Sequence, residues 1–245
     1  MKKYPKTDKY DEKWVQANWM GPNPLWLLED LCEHMNLHSG MKVLDMGCGK
    51  GITSVFLAKE CGVTVFANDL WVSATENLHR FEEAGVTDLV FPINAEAHVL
   101  PFADGFFDAI ISIDSYHYYG TCEHYFPDIF SKLLKPNGQI GIVVPGLKNE
   151  YEKGYPETLA KLWNPSMFSL HSGKWWRNHW EKTGLCEILA CYDMEDPKAI
   201  WQSWADWAVL NMEKEFGENG DFDVKLLEAD TNNDIAFIVL VAVKK

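Results

Sequence analysis

Residues 43–71 read VLDMGCGKGITSVFLAKECGVTVFANDLW. An apolar run ends in Asp45, and Gly47, Gly49 and Gly51 follow at alternate positions. A helical pattern then runs to Gly62, and a second apolar run ends in Asp69. Apolar runs of this length bounded by glycines are buried strands, and the periodic stretch between them is a helix. Glycines between strand and helix let the backbone turn tightly and approach a ligand without Cβ atoms in the way. The helix start beyond them offers unpaired N–H groups.

The same alternation continues outward. Further strands are expected at 88–94, 107–113 and 139–146, with helices at 72–84 and 123–138 between them. Upstream, Asn23 caps a helix that has Pro24 at its first position and Leu25, Leu28 and Leu31 at helical spacing. Five β–α alternations predict a parallel sheet covered on both faces. After Gly146 the rhythm breaks. Residues 147–171 read as an insertion, 173–184 as a Trp-rich helix capped by Ser172, and 186–194 as a strand. The helix at 197–216 and a last strand at 234–245 complete the chain. The fold class is therefore α/β: a Rossmann-like, seven-stranded, mostly parallel sheet with helices on both faces and a helical lid from the N-terminus and the C-terminal insertions. It is expected as one domain over residues 1–245. Residues 1–39 form the lid and first helix, 40–146 the core, 147–233 the substrate-side insertions and 234–245 the final strand.

Composition narrows the partners. With 22 basic and 36 acidic residues the net charge is −14, which repels a phosphate backbone and argues against nucleic acid. Six cysteines at irregular spacings suggest neither a disulfide framework nor a zinc site. No apolar run reaches the roughly 18 residues of a membrane span, and the first residues lack the apolar core of a signal peptide. The expectation is a cytoplasmic protein with a small-molecule partner, no nucleic acid or membrane, and a homodimer left open.

The two acids choose the ligand. Asp69 ends the second strand, where a carboxylate can hold the hydroxyls of a ribose. The glycine spacing is GxGxG rather than the GxGxxG of a dinucleotide loop. Asp45 would repel a pyrophosphate but favours a cationic sulfonium or an amino group. S-adenosylmethionine is thus the expected cofactor, ahead of NAD.

Four segments then resemble one family in register: VLDMGCGKG, ANDLW, INAEAHVLPFADGFFDAIIS and LLKPNGQIGIV. Over residues 40–145 the chain is similar to the class I S-adenosylmethionine-dependent methyltransferases. Its ends, MGPNPLWLLE and WWRNHWEKTGL, look like the UbiE-like small-molecule branch. The resemblance implies that Asp45, Gly47, Cys48 and Gly49 surround the methionine end of the cofactor, with Cys48 a small loop residue rather than a nucleophile. It implies that Asp69 binds the ribose, and that Leu70, Trp71, Asn94, Ala95 and Glu96 border the adenine. Asn94 stands where the family commonly has Asp. Asp114 and Ser115 fall near the methyl group, and the N-terminal segment, with Met20, folds over the cofactor.

Chemistry is expected just past the fourth strand, in IDSYHYYGTCEHY. His117 is the candidate general base, since imidazole titrates near neutral pH, and Tyr116, Tyr118 and Tyr119 are candidates to shape the pocket or donate hydrogen bonds. Trp176 and Trp180, at i and i+4, share a helix face. With Trp204, Tyr10 and Trp14 they are candidates for an aromatic pocket, which would suit a cation or a flat substrate. His171 and His179 lack HxH or HxxxH spacing, so no metal is assigned. The expected function is methyl transfer to an amine, phenol or thiol. The alternatives are a non-catalytic S-adenosylmethionine-binding sensor or scaffold and an NAD-dependent oxidoreductase.

Overall fold

In the computed structural model, which describes residues 3–245, the stretch 43–71 forms the centre of the sheet. The chain begins with helices α1 (Glu12–Ala17) and α2 (Pro24–Cys32). Strand β1 (Lys42–Met46) leads through the glycines to α3 (Ile52–Phe56), which continues as a π-helical turn, Leu57–Cys61. Strand β2 (Thr64–Asp69), helix α4 (Ala74–Ala84), and strands β3 (Val90–Asn94) and β4 (Phe107–Ile113) follow. A π-helical turn at Phe126–Phe130 and the short α5 (Ser131–Leu133) precede β5 (Leu134–Leu147). Then come α6 (Gly173–Glu181), β6 (Cys186–Asp193), α7 (Pro197–Phe216), α8 (Asp221–Ala229) and β7 (Ile235–Lys244).

The seven strands run in the order β3-β2-β1-β4-β5-β7-β6. All pairs from β3 to β5 are parallel, and β7 is antiparallel to both β5 and β6. Strand order reverses between β1 and β4, and open sheets of this kind bind ligands at the carboxyl ends beside such a reversal. Asp45 pairs with Ala67 on one side and Ile111 on the other, so the ends of β1, β2 and β4 share that edge.

Successive strand residues face opposite sides of a sheet, and here they feed two cores. Val43, Val65, Ile111, Val143 and Phe237 pack with Leu25, Leu28, Trp201, Trp204 and Leu226 from α2, α7 and α8. Leu44, Ile110, Ile142 and Ile238 pack on the other face with Tyr116, Phe130, Trp176 and Trp180. Among the described residues no helix is long and apolar enough to cross a membrane.

The expected strands are present, with 107–113 at the expected limits, while β5 already begins at Leu134, inside the stretch expected as a helix at 123–138. Asn23 caps α2 by accepting from the Leu25 and Trp26 N–H groups, and Ser172 caps α6. Two helices were not expected. Helix α1 has too few apolar positions to show a period. Helix α8, after Gly220, buries only Leu226 and Leu227.

Candidate functional site

The glycine loop owes its shape to positive φ angles of 75°, 54° and 77° at Gly47, Gly49 and Gly51. Gly47 is also the point of closest approach: a Cβ there would lie 1.9 Å from the Ser115 hydroxyl oxygen. The Gly47 and Cys48 N–H groups donate to the Asn68 carbonyl at 2.9 and 3.0 Å. The Gly49 N–H donates to Asp69 Oδ2 at 2.8 Å. The other carboxylate oxygen of Asp69 accepts from the Trp71 and Val72 N–H groups at 2.8 and 2.9 Å. One side chain thus ties the β1 loop to the β2 loop, and charge-assisted bonds of this kind are the stronger class. Asn94 completes the turn: its Nδ2 donates to the Asp69, Leu70 and Val72 carbonyls.

Around these loops lies a cavity of about 300 Å³. Gly47–Gly49 and Asp69–Trp71 form one wall, Ala95–His98 a second, and Ile113–Ser115 with Tyr118 and Tyr119 a third. Met20, Gly21 and Pro22 of the N-terminal segment close it. That segment is in direct contact with the site. A Cβ on Gly21 would sit 2.4 Å from Asp114 Oδ2, and one on Gly49 would sit 3.0 Å from the Met20 sulfur. Lys50 donates to the Ala17 carbonyl at 3.2 Å and pairs with Glu215 of α7, fastening the segment and α7 to the loop. Of the N-terminal stretch 1–22, Met1 and Lys2 lie outside the described residues.

The structure brings together on the cavity wall most of the residues expected at the cofactor: Met20, Gly47, Cys48, Gly49, Asp69, Leu70, Trp71, Ala95, Glu96, Asp114 and Ser115. Tyr118 joins them. Others stand apart. Asp45 is 1% exposed, behind the loop, with Oδ2 accepting from Thr53 and Ser54 hydroxyls at 2.6 Å each. Burial pushes its carboxyl up to about 6, against the pull of the two hydroxyls, and Oδ1 has no hydrogen-bond partner. Asn94 shapes the β2 turn rather than lining the cavity.

His117 is 5% exposed, off the cavity wall, with its ring 4.0 Å from that of Tyr118. Burial lowers its pKa from 6.5 to about 3, so the expectation of a general base does not hold. A group that weakly basic collects no proton near neutrality.

The aromatic pocket is corrected too. Trp176 and Trp180 are fully buried on the far face of the sheet, against Tyr116 at 5.6 Å each. Trp204 is buried on the near face with its indole N–H on Asp223. Tyr10 and Trp14 border a different surface cleft, with Lys9, Lys59 and Glu60. Tyr119, expected with its neighbours to shape the pocket, is on the wall; His98, also on the wall, was not anticipated. Nothing in the residues around His98 marked it out.

With this geometry in view, comparison with known proteins adds a likeness. A family model described as a methyltransferase domain matches residues 43–138, the span of the glycine loop, Asp69 and the β4 strand. Over that span the chain is similar to a methyltransferase domain. A sterol 24-C-methyltransferase of Yarrowia lipolytica is 31% identical over 130 residues, covering 52% of this chain and 33% of that protein. The chain spans about a third of the length of two such curated relatives, 33% and 37%. Among solved structures, a protein described as a putative sarcosine dimethylglycine methyltransferase of Galdieria sulphuraria superposes with a TM-score of 0.70 at 19% identity. It covers 89% of this chain and 83% of its own. The [4+2]-cyclase SpnF superposes at 0.69 and 18% identity, over 89% of this chain and 79% of its own. At these identities the likeness is one of fold, and a fold alone does not set the reaction.

Within the methyltransferase domain, Asp114 is the most perturbed carboxylate on the cavity wall. Its backbone is left-handed, φ 52°, which is costly for a residue with a side chain. Burial, then the charge of Asp223, raises its carboxyl from 3.8 to about 7. The folded protein therefore holds more protons than the unfolded chain between those values, and stability falls as pH rises through that window. Asp114→Asn removes this cost. In thermal scans the variant's Tm gain over wild type should be larger at about pH 8 than at about pH 4, the window following from linkage. An equal or smaller gain at the higher pH contradicts the assignment.

Proposed function

We propose that the chain binds S-adenosylmethionine in this cavity and transfers its methyl group to a small-molecule acceptor. The observation that carries the reading is Asp69, a carboxylate on the cavity wall fixed by three backbone N–H groups at the β2 end. The residues fit the group. A carboxylate has lone pairs beyond those three bonds, so Asp69 can also accept from ribose hydroxyls. Gly47 and Gly49 present backbone without side chains. Leu70, Trp71, Ala95 and Ala97 offer an apolar border for a flat base.

When bound, S-adenosylmethionine supplies a methyl group on a sulfonium, open to in-line attack. The chain's own residues align and shield. Met20 and Gly21 exclude water from one side. Asp114, Ser115, Tyr118 and Tyr119 form the wall beyond β4, where the acceptor is placed. With His117 buried and neutral, positioning accounts for more of the rate than proton removal. A cytoplasmic setting belongs to the same proposal.

The test is transfer of labelled methyl from S-adenosylmethionine to a panel of amines, phenols and thiols. Labelled product with release of S-adenosylhomocysteine is expected. Binding of S-adenosylhomocysteine with no transfer to any acceptor class would instead favour the sensor or scaffold reading.

A further inference from the structure

Resting on the methyltransferase reading, we infer that the acceptor is an amine that enters as its cation and that the Asp114 carboxylate, facing the cavity without a partner, selects it and takes one proton, which frees the nitrogen lone pair to attack the methyl group as S-adenosylhomocysteine leaves. Asp114 lines the cavity, yet its side chain accepts no hydrogen bond and makes no ion pair with any described residue. Every other acid that shapes this edge is answered: Asp69 by three N–H groups, Asp45 by two hydroxyls. Asp114 is half-buried, and a carboxylate partly withdrawn from water without a donor carries a cost that is relieved when a ligand brings a cation or a donor. The strained left-handed backbone and the contact with Gly21 hold this acid in place rather than letting it turn to solvent.

A second carboxylate strengthens the preference. Asp223, on α8, accepts from the indole N–H groups of Trp201 and Trp204 at 3.0 Å each. It is close enough to Asp114 to oppose its ionisation, and no cation pairs with either. The tryptophans of α7 therefore act through their N–H groups, fixing a negative charge behind the wall, rather than as a ring cage. At the mouth, Trp71 and Tyr118 are 71% and 60% exposed and meet edge to face at 5.8 Å. With Trp71 bordering the cofactor's base, the Tyr118 ring is left to meet the carbon skeleton of an arylalkyl amine and attract its charge. The overall charge of −14 steers a cation in and a phosphate or carboxylate away.

The test uses the full chain with S-adenosylhomocysteine held saturating. Phenethylamine and its neutral isostere 2-phenylethanol are titrated calorimetrically. Wild type should bind the amine at least about tenfold more tightly, the scale of one charged hydrogen bond. Asp114→Asn should erase most of that preference and leave the alcohol within about twofold. Asp223→Asn, which lies off the cavity wall, should reduce it by about threefold, as expected for a partly screened charge. S-adenosylhomocysteine binding by each variant reports an intact fold; if Asp114→Asn fails that control, Asp223→Asn carries the test. No preference in wild type, whether both probes bind equally or neither binds, overturns the inference. So does a preference unchanged in the variants. Failure of S-adenosylhomocysteine to bind wild type overturns the methyltransferase reading instead.

Discussion

Asp69→Ala should weaken S-adenosylhomocysteine binding by about a hundredfold or more, because it removes the acceptor of two ribose hydroxyls, charge-assisted bonds that each contribute about 1.5–3 kcal/mol. The loss has two sources. The acceptor for ribose hydroxyls disappears, and the Gly49, Trp71 and Val72 N–H groups lose the oxygen that fixes both loops. Asp69→Asn keeps one carbonyl oxygen and cannot answer both loops, so an intermediate loss is expected. Calorimetric titration of the three proteins checks this. An affinity within about twofold of wild type in Asp69→Ala, less than one such bond is worth, would place the cofactor elsewhere.

Trp176→Ala should act in the opposite way, costing stability and sparing the site. Trp176 is fully buried with Tyr116 at 5.6 Å and Trp175 at 4.9 Å. Removing a buried tryptophan costs about 3–5 kcal/mol, including the cavity left behind. Urea unfolding should show that loss, while the folded variant binds S-adenosylhomocysteine within about twofold of wild type, because Trp176 itself does not line the cavity. A tenfold loss of binding with unchanged unfolding would mean that Trp176 lines the pocket after all.

The difference between Asp69 and Trp176 shows what residue order carries. The glycine loop and Asp69 were legible because backbone geometry demands them: positive φ needs glycine, and a carboxylate at a strand end has few other uses. Strand limits were legible because two buried faces require an unbroken apolar run. The tryptophans were not. Spacing i, i+4 says that Trp176 and Trp180 share a helix face, but which side of the sheet receives that face depends on chain crossings far away in sequence. His117 misled for a related reason: position past β4 was read correctly, whereas burial, which strips its basicity, has no local signature. Asp223 was invisible because α8 buries only Leu226 and Leu227, too few to mark a helix. Its pairing with Trp201 and Trp204 crosses a turn that only tertiary structure closes.

The central claim is that the cavity between the glycine loop and the N-terminal segment holds S-adenosylmethionine. Its most direct test is titration of the wild-type chain with S-adenosylhomocysteine, with NAD as competitor. The structure predicts one site per chain, undisturbed by NAD. Binding of NAD in its place, or no binding of S-adenosylhomocysteine, would contradict the account.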